Sequence, residues 1–96
     1  MEDRTVESFN RALKKLKSLQ KISLGFYSCK DLSDVGLLLL IEGLEELVFL
    51  KSVCLYFDEC RRTTEAGIDQ AKERLRDCSS ILEINISKYV RQRVEN

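Results

Sequence analysis

Hydrophobic and polar residues alternate along three short stretches of this chain, and each stretch is flanked by hydrophobic residues at helical spacing. Ile22, Leu24 and Phe26 alternate with polar or small residues, which is typical of a strand with one buried face. Leu37, Leu40 and Leu44 recur as on one face of a helix. The pattern predicts the order helix, strand, helix, strand, helix, strand over residues 3–15, 20–26, 34–46, 51–57, 65–77 and 82–87.

The two kinds of segment recur at a constant offset along the chain, because residues 16–46 align with residues 47–77 without a gap. The matched positions are Leu19 and Leu50, Ile22 and Val53, Leu24 and Leu55, Phe26 and Phe57, Cys29 and Cys60, Ser33 and Thr64, and Gly36 and Gly67. A fixed offset of this kind is typical of repeat architectures. We therefore expect a single domain over 1–96, with units at about 1–15 (partial), 16–46, 47–77 and 78–96 (terminal).

Repeated strand–helix units constrain the fold. The connection from a strand through a helix to the next parallel strand is right-handed, so successive strands lie side by side and the helices fall on one face of the sheet. The strands alternate, whereas strands in a small three-layer domain are covered twice and form continuous apolar runs. We expect an α/β solenoid, a short curved parallel sheet with helices on one face.

The predicted helices also carry start signals. Ser33 and Thr64 precede the second and third helices, where a side-chain oxygen can accept a hydrogen bond from a free backbone N–H group. Gly36 and Gly67 lie in the first turn of the same helices. We interpret them as sites of close packing between units or of a backbone bend. A phosphate-binding loop would require more glycines at fixed spacing.

Two strings of one pattern cover the predicted strands: L-x-x-I-x-L-x-F-x-x-C at 19–29 and L-x-x-V-x-L-x-F-x-x-C at 50–60. They resemble leucine-rich repeats. The segments that follow, DLSDVGLLLLIEGL and RTTEAGIDQAKERL, resemble the helical half of the ribonuclease-inhibitor-like and cysteine-containing subtypes. The resemblance extends from Val6 to Ile86. It implies a sheet on the concave face, helices on the convex face and protein binding as the usual task, with no shared activity.

The composition of the chain argues against several classes of function. Lys plus Arg and Asp plus Glu number 16 each, so the chain lacks the basic surplus of a nucleic-acid-binding domain. There is no His, which argues against Ser-His-Asp catalysis and most metal-assisted hydrolysis. We expect no enzyme activity, cofactor, metal or small-molecule substrate, and no nucleic-acid partner. Arg11, Lys14, Lys15 and Lys17 are interpreted as a solvated face that complements a helix dipole.

Localisation follows from the absence of hydrophobic targeting segments. The longest apolar run, 37–41, is too short to span a membrane, and the first residues lack the apolar core of a signal peptide. We expect no membrane insertion and a cytoplasmic, reducing environment. The cysteines Cys29, Cys54, Cys60 and Cys78 have no C-x-x-C spacing, so we expect buried free thiols rather than zinc ligands or disulfides.

Strand residues on the polar side of the alternation are candidates for partner binding on the concave face, although a merely solvated face is an equal alternative. The candidates are Lys21, Ser23, Ser52, Cys54, Tyr56, Glu83 and Asn85. Cys54 points outward in this scheme, but no His or nearby cation is evident to activate its thiol.

The middle unit is apolar at positions where its neighbours are polar. Leu38, Leu39 and Ile41 correspond to Glu7, Ser8 and Asn10 in the first unit, and Val48 and Phe49 correspond to Ser79 and Ser80 in the third. Surplus apolar surface usually marks a partner contact. Two alternatives to a partner contact remain. The neighbouring helices can bury more of the middle helix than of the outer ones, or Val48 and Phe49 can close the end of the core.

These observations predict a non-catalytic protein-interaction or scaffolding module, one subunit of a larger assembly. One alternative is a fragment of a longer leucine-rich-repeat regulator, such as a ubiquitin-ligase substrate receptor or a ribonuclease-inhibitor-like protein. Another is an enzyme that uses Cys54.

Overall fold

Three helices and three strands alternate along residues 1–91, which are the residues that the computed structural model describes. The helices are α1 (Asp3–Leu13), α2 (Asp34–Glu45) and α3 (Glu65–Arg76), and the strands are β1 (Lys21–Tyr27), β2 (Ser52–Asp58) and β3 (Glu83–Ser87). The six predicted elements are confirmed, with every end within two residues of its expected place. Residues 92–96, the end of the predicted unit 78–96, lie outside the described residues.

The strands form one parallel sheet in the order β1-β2-β3. Its register pairs Ile22 with Val53 and Val53 with Ile84, which is the sequence offset of 31 residues at each step. The loops before the strands keep the same offset. Gln20 O accepts hydrogen bonds from the Lys51 and Ser52 N–H groups, and Lys51 O accepts the equivalent bonds from the Leu82 and Glu83 N–H groups. The chain is therefore α/β with a parallel sheet whose neighbouring strands are consecutive in sequence.

One face of the sheet and the helices share a single hydrophobic core. In this core Phe26 stacks on Phe57 with ring centroids 5.1 Å apart. The equivalent position in β3's unit is Lys88, whose ammonium donates to Thr63 O instead. Helix α2 contacts both α1 and α3, so the helices lie side by side in the same order as the strands.

The predicted N-caps are confirmed, and each is tied to the preceding helix. Ser33 Oγ accepts a hydrogen bond from the Val35 N–H group, and Thr64 Oγ1 accepts one from the Gly67 N–H group. The predicted close packing at the glycines is also confirmed. A Cβ atom at Gly36 would overlap the Asp3 carboxylate, and one at Gly67 would overlap the carboxylate of Asp34.

The cysteines, all in the described part of the chain, form no disulfide. Only Cys60 is buried, so the expectation of buried thiols is wrong for Cys29 and Cys78, which are half-buried. Cys54, which the alternation placed on the outer face, is also half-buried. Burial raises the pKa of the Cys60 thiol. Burial also raises the pKa of Cys78, and the nearby Glu45 and Asp77 carboxylates add to the effect.

Candidate interaction surfaces

The outer face of the sheet carries every residue that the sequence assigned to it. In register across the strands, Lys21, Ser52 and Glu83 form one row, and Ser23, Cys54 and Asn85 form the next. The β1 and β3 members are exposed, whereas those of β2, including Tyr56, are half-buried because strands flank them on both sides. The predicted placement on one face is confirmed, and their role in binding stays a prediction.

Two further residues extend this face toward the carboxyl ends of the strands. Tyr27 is exposed and pairs in register with Asp58. The ring of Tyr27 lies over Gly25, where a Cβ atom would come within 2.9 Å of Tyr27 Cε2. The sequence prediction ended β1 and β2 one residue too early, and continuing the alternation by one outward position would have found both residues.

The outer face of the sheet carries mostly uncharged polar side chains. Ser52 Oγ is buried and has no hydrogen-bond partner in the described part of the chain, so its desolvation is uncompensated. Within residues 1–91 no group of three or more Cys, Asp or Glu side chains is placed to hold a metal ion. Cys54 lies between Ser23 and Asn85 in the sheet register, and these two neighbours carry no charge.

A second surface lies at the amino-terminal ends of the strands, where the α–β loops lead into the sheet. Val48 and Phe49, in the loop between α2 and β2, are 68% and 59% exposed. They line an open groove of about 390 Å³ together with Leu47, Glu46, Lys14 and Lys17. We call this the loop groove. The alternative that Val48 and Phe49 close the core is wrong, since both side chains face solvent.

The loop groove contains charges that the sequence pattern did not connect with Val48 and Phe49. Lys14 Nζ lies 3.7 Å from Glu46 Oε2 in an exposed ion pair between α1 and the end of α2. Lys17 has no acidic partner within 4.0 Å in the described residues. The constant offset could have indicated this placement, because Lys17 and Val48 occupy equivalent positions of adjacent units.

Two more exposed apolar residues lie in the equivalent loops. Leu16 follows α1 and is 51% exposed, and Leu82 precedes β3 and is 82% exposed. Because all strands of a parallel sheet begin at the same edge, these residues lie on the same end of the molecule as Val48 and Phe49. The comparison of units missed both, since it weighed only the middle unit.

The helical part of the predicted partner surface requires correction. Ile41 is fully buried, so its prediction as a partner residue is wrong. The reason is that α2 packs between α1 and α3, which buries a wider arc than an edge helix would. Leu39 packs partly on the core, and its carbonyl accepts a hydrogen bond from Asn10 Nδ2 of α1 at 2.7 Å. Leu38 is half-buried, and its role stays a prediction.

No protein-family model, curated protein or solved structure matches this chain significantly. Among the helices of residues 1–91, none combines the length and apolar character that crossing a bilayer would require.

Proposed function

We propose that this chain is a non-catalytic protein-interaction or scaffolding module, a short leucine-rich-repeat-like solenoid that serves as a subunit of a larger assembly. The observation that carries the proposal is the exposure of Val48 and Phe49 beside the loop groove. A reducing cytoplasmic compartment suits its free thiols.

The repeat-like architecture is supported by equivalences that reach beyond the sheet register. Ser28 and Glu59, which occupy equivalent positions, both adopt left-handed backbone angles, with φ of 54° and 59°. The Ser28 N–H group donates to Asp58 O, and the Glu59 N–H group donates to Tyr89 O at the same offset. Such equivalences are expected when each unit of a solenoid repeats the local conformation of its neighbour.

An interaction role is supported because the fold does not require apolar residues at positions 48 and 49. The first unit has Lys17 and Ser18 in the equivalent loop, and the third has Ser79 and Ser80. Full burial of Val48 and Phe49 against a partner would contribute about 1.5–3 kcal/mol for each side chain, before association costs. The exposure of these two side chains to solvent therefore supports the proposed binding role.

The test replaces both residues by those of the third unit, in the variant Val48→Ser/Phe49→Ser. We expect unchanged circular dichroism and unfolding, together with loss of the native assembly from affinity capture with mass spectrometry. Val35→Ser is the matched control, since Val35 is an equally exposed valine (63%) on α2. Equal recovery of the assembly by the double variant and the native chain would contradict the proposal.

A second candidate, a segment of a longer leucine-rich-repeat regulator such as a ubiquitin-ligase substrate receptor or a ribonuclease-inhibitor-like protein, is favoured by one observation. Phe9, Leu19 and Leu24 are only partly buried, so the core is incompletely covered beyond α1 and β1, where another unit would pack. Intact-mass measurement on the native protein separates the candidates. A mass near 11.1 kDa excludes the longer regulator.

A further inference from the structure

The loop groove combines an apolar wall with an unneutralised positive charge. Val48 and Phe49 supply the apolar wall, and Lys14 and Lys17 supply two cations against the one carboxylate of Glu46. The Lys14–Glu46 ion pair leaves the Lys17 ammonium as the unpaired charge among the lining residues. A complementary ligand would present an apolar side chain next to a carboxylate.

Other residues near the loop groove add to the positive charge of Lys17. Lys15 and Lys51 are exposed in or beside the same α–β loops. The neighbouring carboxylate of Glu45 is engaged by the guanidinium of Arg74 on α3. Against the carboxylates of Glu42 and Glu46, the α1–α2 side of this end carries four lysines, Lys14, Lys15, Lys17 and Lys51. It is therefore basic although the whole chain is neutral, and such local fields favour acidic partners.

We propose that the loop groove binds a short acidic segment of a partner protein. An apolar side chain of this segment packs against Val48 and Phe49, and an adjacent carboxylate pairs with Lys17. This inference rests on the proposed function, because it assigns the chemistry of the protein partner. A groove of about 390 Å³ falls within the usual size of ligand pockets and accommodates a large side chain.

The geometry favours a peptide segment over the other occupants of a basic apolar surface. A flat bilayer would make little contact with a concave groove, whereas a peptide side chain can enter it. A second copy docked through the same surface would bring Lys14 and Lys17 close to the same lysines of its partner. Like charges brought together across an interface disfavour association.

The experiment measures fluorescence anisotropy with three labelled peptides, whose central sequences are EELFEE, KKLFKK and EESSEE. We expect EELFEE to bind the native chain about tenfold more tightly than either other peptide. Lys17→Glu should weaken EELFEE by about tenfold and strengthen KKLFKK, whereas Lys17→Arg should retain the native preference. Val48→Ser/Phe49→Ser should lose the distinction between EELFEE and EESSEE.

Lys30→Glu is the control for charge reversal, because Lys30 is an exposed cation that lines a different groove at the carboxyl edge of the sheet. Circular dichroism of each variant establishes that it is folded. The inference is overturned if EELFEE does not bind, if KKLFKK binds equally well, or if Lys30→Glu acts as strongly as Lys17→Glu.

Two further readouts identify the competing occupants. Binding to phosphatidylserine vesicles without binding to EELFEE would overturn the inference in favour of a membrane. Dimerisation that Val48→Ser/Phe49→Ser abolishes, again without peptide binding, would overturn it in favour of a second copy. The proposed function is tested separately. It is contradicted only if the Val48→Ser/Phe49→Ser variant still recovers the native assembly.

Discussion

Two aspartates connect each helix of this protein to the N-cap of the next. The Asp3 carboxylate accepts hydrogen bonds from the Ser33 N–H group at 2.8 Å and from Ser33 Oγ at 2.5 Å. The Asp34 carboxylate makes the same two bonds to Thr64, at 2.7 and 2.5 Å. Hydrogen bonds to an ionised carboxylate are stronger than those between neutral groups. At the scale of single residues, these contacts explain why the first turn of α2 contains Gly36 and that of α3 contains Gly67. A side chain at either position would displace the carboxylate.

The coupling between Gly67 and Asp34 can be measured directly. Ala in place of Gly inside a helix normally stabilises it by up to about 1 kcal/mol. We expect Gly67→Ala to destabilise this protein by about 1 kcal/mol instead, because the new Cβ displaces Asp34 from Thr64. In an Asp34→Ala background the same substitution should become stabilising. Urea unfolding of the four proteins gives the coupling free energy, and additive effects would contradict this explanation.

The second prediction at this scale concerns pH. Burial raises the pKa of Asp3, but the hydrogen bonds from Ser33 and from the Gly36 N–H group outweigh it, so the pKa lies below its ordinary value of 3.8. A carboxyl whose pKa is lower in the folded state contributes stability that is fully present above the unfolded value, about pH 4. That contribution is lost as pH falls through the folded pKa.

Asp3→Asn should therefore lower the free energy of unfolding by about 1 kcal/mol at pH 6, and the difference from the native chain should shrink toward pH 2. Urea unfolding across this pH range measures it. Asp31→Asn is the control, since Asp31 is exposed and makes no side-chain hydrogen bond within the described residues. A difference for Asp3→Asn that stays constant with pH would show that its charge is not involved.

At the scale of elements, identical residues at equivalent positions differ in burial according to their place in the sheet. Leu24 of β1 and Leu55 of β2 are register partners on the inner face. Leu55 is fully buried between two neighbouring strands, whereas Leu24 on the edge strand is half-buried. The place of a strand in the sheet therefore determines how much its inner-face residues contribute to the free energy of unfolding.

This pair of leucines provides a matched test. Leu55→Ala should cost about 3 kcal/mol, because it removes buried methyl groups and leaves a cavity in the centre of the core. Leu24→Ala should cost less than half as much, since its side chain is already in part exposed to water. Chemical denaturation of both variants measures the difference. Equal costs would indicate that the β1 edge is covered in solution, as by association of the chain.

At the scale of the whole molecule, the two candidate surfaces lie on different parts of the fold. The outer face of the sheet is mainly polar, with Tyr27 and Tyr56 toward the carboxyl ends of the strands. The loop groove lies at the amino-terminal ends of the strands and has exposed apolar residues. If the proposed scaffolding function is correct, two separated surfaces would allow contact with two partners, or with one partner over a larger area.

The periodicity predicted each element and, apart from Tyr27 and Asp58, the residues of the outer face, because alternation in a strand and helical spacing are local properties. It failed at Ile41, since a helical wheel does not show that α2 has a helix on each side. It also did not connect Lys17 with Phe49, because alternation and helical spacing within one segment do not show that the loops of adjacent units lie side by side. Both differences come from contacts between elements, which no single segment encodes.

The order of elements and their capping residues were determined by the sequence alone, because they depend on periodicity and hydrogen bonds within a few residues. The spacing of 31 residues follows from aligning the sequence with itself. The tertiary structure decided which apolar residues are covered and which charges meet. Neighbouring helices bury the extra face of α2, and within residues 1–91 no helix or strand packs over the α–β loops. Val48 and Phe49 therefore remain in water beside Lys17.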